Sequence, residues 1–291
     1  GDGADDVLTD LSRTVNTLES SLSRTVDTSE VSRLNRDGSA VWDEDGAQLL
    51  SWALQHSQET DGAFDITIAP LVELWGITSD NPRVPSQAEI DALLPLVDYE
   101  HVHQSEFCSI SLDEGCSVDL GGIAKGYAAG RVRTILREAG VTSAIISLGG
   151  NVAAVGKKPD GSAWTVGLQD PDRPEAYFGT VSIEDACVVT SGAYQRYFEE
   201  NGVCYHHILD PHTGCPAESG VKSVSVVAQD DTLADALSTA LFVMGLDAGA
   251  ELWNSSGLSF EAVFVTDDNT VWITPGLAGR YRSDRPYQIL E

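Results

Sequence analysis

Basic residues are scarce in this 291-residue chain, in which 17 lysines and arginines stand against 45 aspartates and glutamates, for a formal net charge of −28. So acidic a chain repels phosphate backbones, and no basic stripe appears, so nucleic acid is excluded as the expected partner. An anionic cofactor would meet the same repulsion. It would need a metal ion or a local ring of backbone N–H donors.

Long apolar runs are also lacking. No stretch of 18 apolar residues occurs, so the sequence predicts no membrane-spanning helix. The chain begins with Gly1 and its one methionine is Met244. The sequence therefore leaves open whether an export signal was removed before Gly1. Membrane attachment would have to come through such a missing N-terminus.

The five cysteines (Cys108, Cys116, Cys187, Cys204 and Cys215) form neither a CxxC motif nor a zinc-ligand spacing. Cys187 lies in an apolar stretch and is predicted to be a buried strand thiol. In an exported protein Cys108 could pair with Cys116, or Cys204 with Cys215. Both pairings stay open, because a sequence does not determine disulfide connectivity.

The pattern of apolar residues predicts a mixture of helices and hairpins. Apolar residues three and four apart predict helices over 5–24 and 45–58, and Ser86 with Glu89 forms a capping box that begins a third. Further elements are predicted as helices over 122–139 and 232–245, strands over 142–150 and in short pieces between 152 and 227, and hairpins over 101–120, turning at Asp113–Gly115, and over 260–274. This mixture indicates an α+β fold.

The stretch DLGGIAKGYA, residues 119–128, carries three glycines and one lysine. Neither the P-loop pattern nor the dinucleotide fingerprint fits, because the lysine precedes its glycine and the glycine spacing is wrong. We expect Asp119 to end a strand, the glycines to turn and a helix to follow. A helix start of this kind suits a phosphate group. The alternative is a plain strand-to-helix turn.

Asp235 and Thr239 are four residues apart on a predicted helix and therefore share one face. A carboxylate with a hydroxyl one turn later can hold a hard cation through oxygen. In the alternative interpretation, Asp235 lies near the N-terminus of the helix and interacts with the helix dipole, and Thr239 has no functional role.

Two further stretches contain polar groups suited to chemistry. HHILDPHTG, residues 206–214, supplies three histidines beside Asp210, and histidine is the usual general base. Its Asp-Pro and glycine are also an ordinary turn signal. TDGAFDITIAPLVELWG, residues 60–76, is too polar at Asp61 and Asp65 for a simple core strand, although a turn followed by a strand remains open.

Taken together, these stretches resemble the FAD:protein FMN transferases, the ApbE family. The resemblance runs from about residue 8 to the C-terminus and rests on motifs in a fixed order: TSEVSRLN (28–35), GAFDITIAPLVELWG (62–76), DLGGIAKGYA (119–128), SLGGN (147–151), HHILDPHTG (206–214) and DALSTALFVMG (235–245). Several ordered motifs are far more specific than any one loop.

The resemblance implies a reaction, a fold and partners. FAD binds with its pyrophosphate on Mg²⁺, and a Thr or Ser hydroxyl of an acceptor protein attacks the FMN-side phosphorus. AMP leaves, and FMN stays attached through a phosphoester bond. The implied fold is α+β, with mixed helices and largely antiparallel sheets, as a single domain of residues 1–291 or as two interlocked subdomains with the active-site cleft between them.

The resemblance also implies roles for individual residues. His207 is the candidate base on the incoming hydroxyl, with His206 or Asp210 as the alternative. The implied metal ligands are Asp235, Thr239, the Ser238 backbone and the Ala124 carbonyl. The residues implied along FAD are Ala63, Phe64, Asp65, Gly121, Lys125, Tyr127 and Leu209.

The sequence also gives expectations about where the protein acts and about two alternative functions. The resemblance implies an exported protein, periplasmic or on the outer face of the cytoplasmic membrane, with a lipid anchor as one option. One alternative function is a metal-dependent FAD pyrophosphatase that forms FMN and AMP, and another is a flavin-binding protein without chemistry.

Overall fold

The structure is a computed structural model that describes residues 2–105 and 108–291, with side chains from residue 5 onwards. The chain divides into two compact units. The first unit consists of Gly1–Thr17, Lys125–Gly192 and Ser219–Glu291, and the second unit consists of Leu18–Ala124 and Ala193–Glu218.

Helices and strands are both abundant in the described part of the chain. The α-helices are α1 (Asp2–Leu22), α2 (Glu30–Asp37), α3 (Glu44–Glu59), α4 (Ala69–Trp75), α5 (Gln87–Leu93), α6 (Ala124–Glu138) and α7 (Asp231–Ser255). The strands are β1 (Ser39–Val41), β2 (Val102–Gln104), β3 (Ser109–Leu112), β4 (Ser143–Leu148), β5 (Asn151–Gly156), β6 (Trp164–Asp170), β7 (Arg173–Ile183), β8 (Cys187–Gly192), β9 (Tyr197–Glu200), β10 (Val203–His206), β11 (Val221–Ala228), β12 (Phe260–Thr266), β13 (Val271–Ile273), β14 (Tyr281–Arg282) and β15 (Tyr287–Ile289). Short 3-10 helices cover Ile66–Ile68, Leu94–Leu96, Tyr99–His101 and Pro275–Leu277.

The first unit is built on a seven-stranded sheet in the order β15-β13-β12-β11-β8-β5-β4. Its pairs are antiparallel except for β13 with β15. A three-stranded sheet, β14-β7-β6, contributes to the same apolar core as the large sheet. Helix α7 packs against β8 and β11. Strand β11 is therefore buried along most of its length, which explains its almost continuous run of valine and small residues.

Helix α7 is long and apolar enough, by length and composition, to cross a membrane. However, 61% of its most apolar 18-residue window is buried inside the protein. Its helical geometry is also interrupted at Gly245, where φ is 77°. We therefore interpret α7 as the core helix of the first unit.

The second unit holds α2 to α5, the sheet β1-β3-β2 and the hairpin β9–β10. The capping box predicted at Ser86 and Glu89 is present at the start of α5. Leu71, Trp75, Ile90 and Leu209 form one of its apolar clusters, so the HHILDPHTG segment is anchored on α4 and α5. The indole N–H of Trp75 also donates to the carbonyl of Gly214 at 2.8 Å.

The α+β prediction is confirmed, as is the predominance of antiparallel pairing. The helices predicted over 5–24, 45–58, 122–139 and 232–245 correspond to α1, α3, α6 and α7, and the last of these continues to Ser255. The hairpin predicted over 260–274 is the β12–β13 pair.

Two details of the sequence prediction are wrong. The hairpin predicted to turn at Asp113–Gly115 pairs β2 with β3, so its connection spans 105–108, of which residues 106 and 107 lie outside the described residues. Asp119 ends no strand, because the Asn35 amide, which both donates to and accepts from the backbone of Val118, takes the place of a strand partner. The alternative left open for residues 60–76, a turn followed by a strand, does not occur, because the residues after Asp65 form a 3-10 helix and α4.

All five cysteines are free thiols in the structure, so neither proposed pairing is formed. Cys187 is the buried strand thiol that was predicted, in β8. Burial raises the pKa of this thiol well above its ordinary value, which makes it an unreactive core residue.

Candidate functional site

Helices α6 and α7 meet within the first unit, at Gly126 of α6 and Asp235 of α7. The backbone N–H of Gly126 donates to Asp235 Oδ2 at 2.7 Å. A Cβ atom at Gly126 would lie 2.2 Å from the carbonyl oxygen of Asp231 and 2.7 Å from Asp235 Cβ. A side chain cannot be accommodated there, so glycine is required for the carboxylate to reach the start of α6.

The Asp235 carboxylate is a buried charge that is only partly compensated. The residue is 3% exposed. Burial raises the pKa of this carboxyl, and the Lys125 ammonium and the N–H groups at the start of α6 act in the opposite direction. Lys125 Nζ lies 4.0 Å from Asp235 Oδ1, but its side chain is half-exposed and compensates the charge only in part.

Ser238 and Thr239 follow Asp235 along α7. Ser238 Oγ donates to the Asp235 carbonyl at 2.9 Å and pairs with the hydroxyl of Ser191 at 2.8 Å. Thr239 lies one turn after Asp235 and is half-buried. Carboxylate, hydroxyl and backbone oxygens are thus gathered on the first turns of α7.

The donor set suits Mg²⁺ better than a transition metal. Among the described residues no group of three or more His, Cys, Asp or Glu side chains is arranged to hold a metal ion. Mg²⁺ is usually held by one or two carboxylates together with waters and substrate phosphates, not by a cage of protein ligands. A single buried carboxylate with neighbouring hydroxyl oxygens fits that pattern.

In the second unit the glycine loop is organised by Asp119. Its Oδ1 accepts the N–H of Gly121 at 2.7 Å, and its Oδ2 lies 2.6 Å from Nε of Arg24. The N–H of Asp119 donates to the carbonyl of Ile66 at 2.7 Å. The loop and the GAFDI segment are therefore held together by backbone bonding. Ala124 is the first residue of α6.

The Asp65 carboxylate organises its own segment. Oδ1 accepts the N–H and the hydroxyl of Thr67, at 2.7 and 2.6 Å, and Oδ2 accepts the N–H of Tyr99 at 2.9 Å. Burial raises the pKa of this carboxyl, and the bonds from Thr67 and Tyr99 oppose the shift. Ala63 and Phe64 are buried, and so is Tyr127 on α6.

His207 follows β10 directly. Its backbone N–H and its Nδ1 both bond to the carbonyl of Arg196, at 3.0 and 3.2 Å. A carbonyl oxygen can only accept, so Nδ1 carries the proton and the neutral ring has its lone pair on Nε2. This is the tautomer that a base acting through Nε2 requires.

The two alternative bases, His206 and Asp210, are held by hydrogen bonds to neighbouring groups. Nε2 of His206 bonds to the carbonyl of Ala217 at 3.1 Å, and burial lowers the pKa of this imidazole. Asp210 accepts the N–H of His212 at 2.9 Å and the hydroxyl of Thr213 at 3.1 Å, which closes the turn. Leu209 is buried against α4 and α5. His207 is thus the better candidate of the three.

The sequence analysis assigned no role at the site to three residues that the structure places beside predicted ones. Asn151, which is 4% exposed, lies at the start of β5, and its amide lowers the pKa of Asp235. It belongs to the SLGGN motif, which was the available signal. Asp119 is the first residue of the DLGGIAKGYA motif, which was the available signal for it. No sequence motif pointed to Arg24.

The model of the ApbE family matches residues 4–264. The chain belongs to the ApbE family. It is similar to a protein named FAD:protein FMN transferase from Klebsiella pneumoniae (strain 342), with 38% identity over 248 residues, covering 84% of this chain and 76% of the relative. A protein of the same name from Treponema pallidum (strain Nichols) is 36% identical over 283 residues, covering 90% of this chain and 77% of the relative.

Solved ApbE structures share the fold. The ApbE protein from Thermotoga maritima matches with a TM-score of 0.88 and 34% identity, covering 96% of this chain and 92% of that one. The Pseudomonas stutzeri flavinyl transferase ApbE matches with a TM-score of 0.79 and 32% identity, covering 90% and 83% of the two chains. The predicted ApbE-like architecture is therefore confirmed.

Proposed function

We propose that this chain is a FAD:protein FMN transferase that depends on Mg²⁺ and modifies a Thr or Ser hydroxyl of an acceptor protein. The hydroxyl oxygen forms a bond to the FMN-side phosphorus of FAD, the bond to the bridging pyrophosphate oxygen breaks, and AMP leaves. The observation that carries the proposal is the buried Asp235 carboxylate at the start of α6, in a chain whose ApbE relatives bear this name.

The oxygen-rich start of α7 supports the choice of metal. Asp235, Thr239, the Ser238 backbone and the Ala124 carbonyl would hold Mg²⁺. When bound, the ion neutralises pyrophosphate charge as a Lewis acid. This would overcome the repulsion that a chain of net charge −28 exerts on a dinucleotide.

The chain's own groups would bind and orient FAD. Lys125 would contribute a positive charge next to the helix start, where anions are favoured. Gly121, whose own N–H is held by Asp119, would let the backbone approach FAD closely. The other residues assigned to FAD are Ala63, Phe64, Asp65, Tyr127 and Leu209. Because all five are buried, we expect their contacts with FAD to involve mainly backbone groups and limited parts of their side chains.

His207 would remove the proton from the attacking hydroxyl. The proton moves from the hydroxyl oxygen to Nε2, and Nδ1 stays bonded to the Arg196 carbonyl. The same carbonyl stabilises the imidazolium, since it accepts from a charged donor. A Thr hydroxyl is a poor nucleophile at neutral pH, so such a base is needed.

Two other functions use the same groups. With water in place of the acceptor hydroxyl, the site would hydrolyse FAD to FMN and AMP. A flavin carrier would need neither His207 nor the Asp235–Thr239 pair. We also propose that the protein acts outside the cytoplasm, in the periplasm or at the outer face of the cytoplasmic membrane, with a lipid anchor as one form of attachment.

One assay separates the three functions. The protein is incubated with FAD and Mg²⁺, with and without a Thr-bearing acceptor protein, and AMP is measured together with flavin covalently bound to the acceptor. A Thr→Ala acceptor serves as the matched control. AMP that appears only with the Thr acceptor supports transfer, AMP without acceptor indicates hydrolysis, and no AMP in either case contradicts both enzymes.

A further inference from the structure

Arg133 is an unusual residue in this acidic chain, because its long charged side chain is buried in the first unit. The residue is 2% exposed and lies on α6. Its Nη1 lies 2.7 Å from Asp231 Oδ2, and the guanidinium also donates to the carbonyls of Gln229 and Asp185, each at 2.9 Å. Asp231 is the first residue of α7 and is 4% exposed.

Stability alone does not account for this pair. Burying two charges costs solvation free energy that their attraction often fails to recover, and apolar residues of similar size are frequently as stable. The geometry is also incomplete, because Arg133 Nε is buried without a hydrogen-bond partner among the described residues. The contact is a single N–H···O bond rather than a bidentate one.

The position of the pair indicates another role. Asp231 lies one helical turn before Asp235 on α7. On α6, Gly126, Gly130 and Arg133 approach these two aspartates, and the Lys125 ammonium lies 4.0 Å from Asp235 Oδ1. A Cβ at Gly130 would lie 3.6 Å from Asp231 Oδ2. Glycines allow the backbones to approach but have no side chain to prevent one helix from sliding along the other. The Arg133–Asp231 bond supplies a directional contact at this crossing.

We propose that Arg133 is a positioning residue for Asp235. By holding Asp231 it sets the axial register of α7 against α6, so that Asp235 Oδ2 meets the Gly126 N–H and the carboxylate is oriented to bind a divalent cation. This inference rests on the proposed function, since it concerns the Mg²⁺ site assigned there.

The test measures cation binding and local structure rather than turnover. Mn²⁺ is titrated calorimetrically into the protein, without FAD and again with FAD, whose pyrophosphate supplies further oxygen ligands. The proteins compared are the wild type, Arg133→Lys and the apolar double variant Arg133→Met/Asp231→Leu. Arg137→Met is the matched control, because Arg137 lies on the same helix and pairs with Asp185 at 2.7 Å at the surface. Residues that orient a metal ligand typically contribute about 10- to 100-fold to metal affinity, so we expect losses of that size in both Arg133 variants and none in Arg137→Met.

Hydrogen exchange distinguishes positioning from general stability. The Gly126 amide should exchange faster in Arg133→Lys, at a temperature where thermal unfolding shows the variant to be folded, while amides in β11 keep their protection. The lysine variant retains a positive charge beside Asp231, so it keeps the test valid should the double variant not fold.

Two results would overturn the inference. If the wild type binds Mn²⁺ and Arg133→Lys binds it equally well with unchanged Gly126 protection, Arg133 does not position Asp235. If the wild type binds no Mn²⁺ either with or without FAD, the metal site of the proposed function is wrong, and this inference is wrong with it.

Discussion

The backbone N–H of Gly126 and the carboxylate of Asp235 are joined by a 2.7 Å hydrogen bond across 109 residues of sequence. The bond places a buried carboxylate at the start of α6. It joins the DLGGIAKGYA motif, which contains Gly126, to the DALSTALFVMG motif, which begins with Asp235. Gly126 cannot carry a Cβ there, and Asp235 has the half-exposed Lys125 ammonium 4.0 Å away.

Asp235→Asn should abolish Mg²⁺-dependent AMP release while the protein stays folded. An amide can accept the Gly126 N–H bond but carries no charge to hold the ion, whose Lewis-acid contribution is several kcal/mol, so we expect a fall of about 100-fold or more. Without metal the variant should be no less stable than the wild type, because it no longer buries a partly compensated charge.

Asp230→Asn is the control for this substitution. Asp230 caps α7 by accepting the N–H groups of Thr232 and Leu233, and asparagine caps helices about equally well. Activity assays and urea unfolding should place this variant near the wild type. Normal AMP release by Asp235→Asn would remove Asp235 from the metal site.

Gly126→Ala should destabilise the first unit and weaken activity. The added Cβ would meet a backbone carbonyl at 2.2 Å, and overpacking of this kind costs about 1–3 kcal/mol. Urea unfolding measures the loss in the free energy of unfolding.

Gly130→Ala is the matched control on the same helix. Its Cβ would make an ordinary contact, 3.6 Å from Asp231 Oδ2. Alanine is the better helix former by about 0.5–1 kcal/mol, so this variant should be as stable as the wild type or more stable. Equal stabilities of the two alanine variants would argue against a close helix crossing at Gly126.

His207→Ala should slow FMN transfer to an acceptor by about 100-fold or more, since a positioned base contributes typically 10²–10⁴-fold. FAD affinity should change little, because in the proposed site the metal, the 121–127 loop and the AFD segment would provide most of the binding. Single-turnover transfer at saturating FAD and a separate FAD titration measure the two quantities.

Two other histidines of the segment test the assignment. His212→Ala should transfer normally, because His212 is exposed and, among the described residues, its ring bonds to Asp210 in its own turn and to the Asp61 carbonyl. His206→Ala should lose stability rather than catalytic rate, since His206 is held by the Ala217 carbonyl. A His206 variant that folds but transfers slowly, beside a normal His207 variant, would reverse the assignment.

The start of α5 should lose stability in acid. The Arg83 guanidinium and the Ser86 N–H and hydroxyl lower the pKa of Glu89 from 4.5 to about 2. A depressed carboxyl pKa means that this stabilisation is fully present above pH 4.5 and is lost as the pH falls through about 2. The Tm difference between the wild type and Glu89→Gln should therefore shrink between these pH values. The same difference at pH 2 and pH 7 would contradict the ion pair.

Much of the secondary structure was predictable because its signals are local. The capping box of Ser86 and Glu89 and the apolar spacing of α1, α3 and α7 depend only on residues within a few turns of one another. The hairpin near residue 110 was misplaced because its register depends on a distant partner. The Asn35 amide bonds both backbone groups of Val118, so the segment after Asp113–Gly115 is held by a side chain rather than by a strand.

In the candidate site, too, the residue types could be predicted from the sequence, whereas the contacts between distant residues could not. The ordered motifs identified the ApbE resemblance and the polar residues of the site, since residue types and spacing are written in the chain. The Nδ1–H tautomer of His207 depends on the Arg196 carbonyl, and the orientation of Asp235 depends on Gly126. Neither contact can be predicted from the spacing of residues along the chain.

The sequence by itself determined the α+β class, most helices and the family, and it predicts which residues bind an anion through a metal. Only the tertiary structure decided that Asp235 and Arg133 are buried, that Asp65 is bonded to Thr67 and Tyr99, and that the cysteines stay unpaired. The physical reason is that burial, hydrogen-bond direction and pKa depend on what surrounds a group in space, and those neighbours come from segments far apart in the chain.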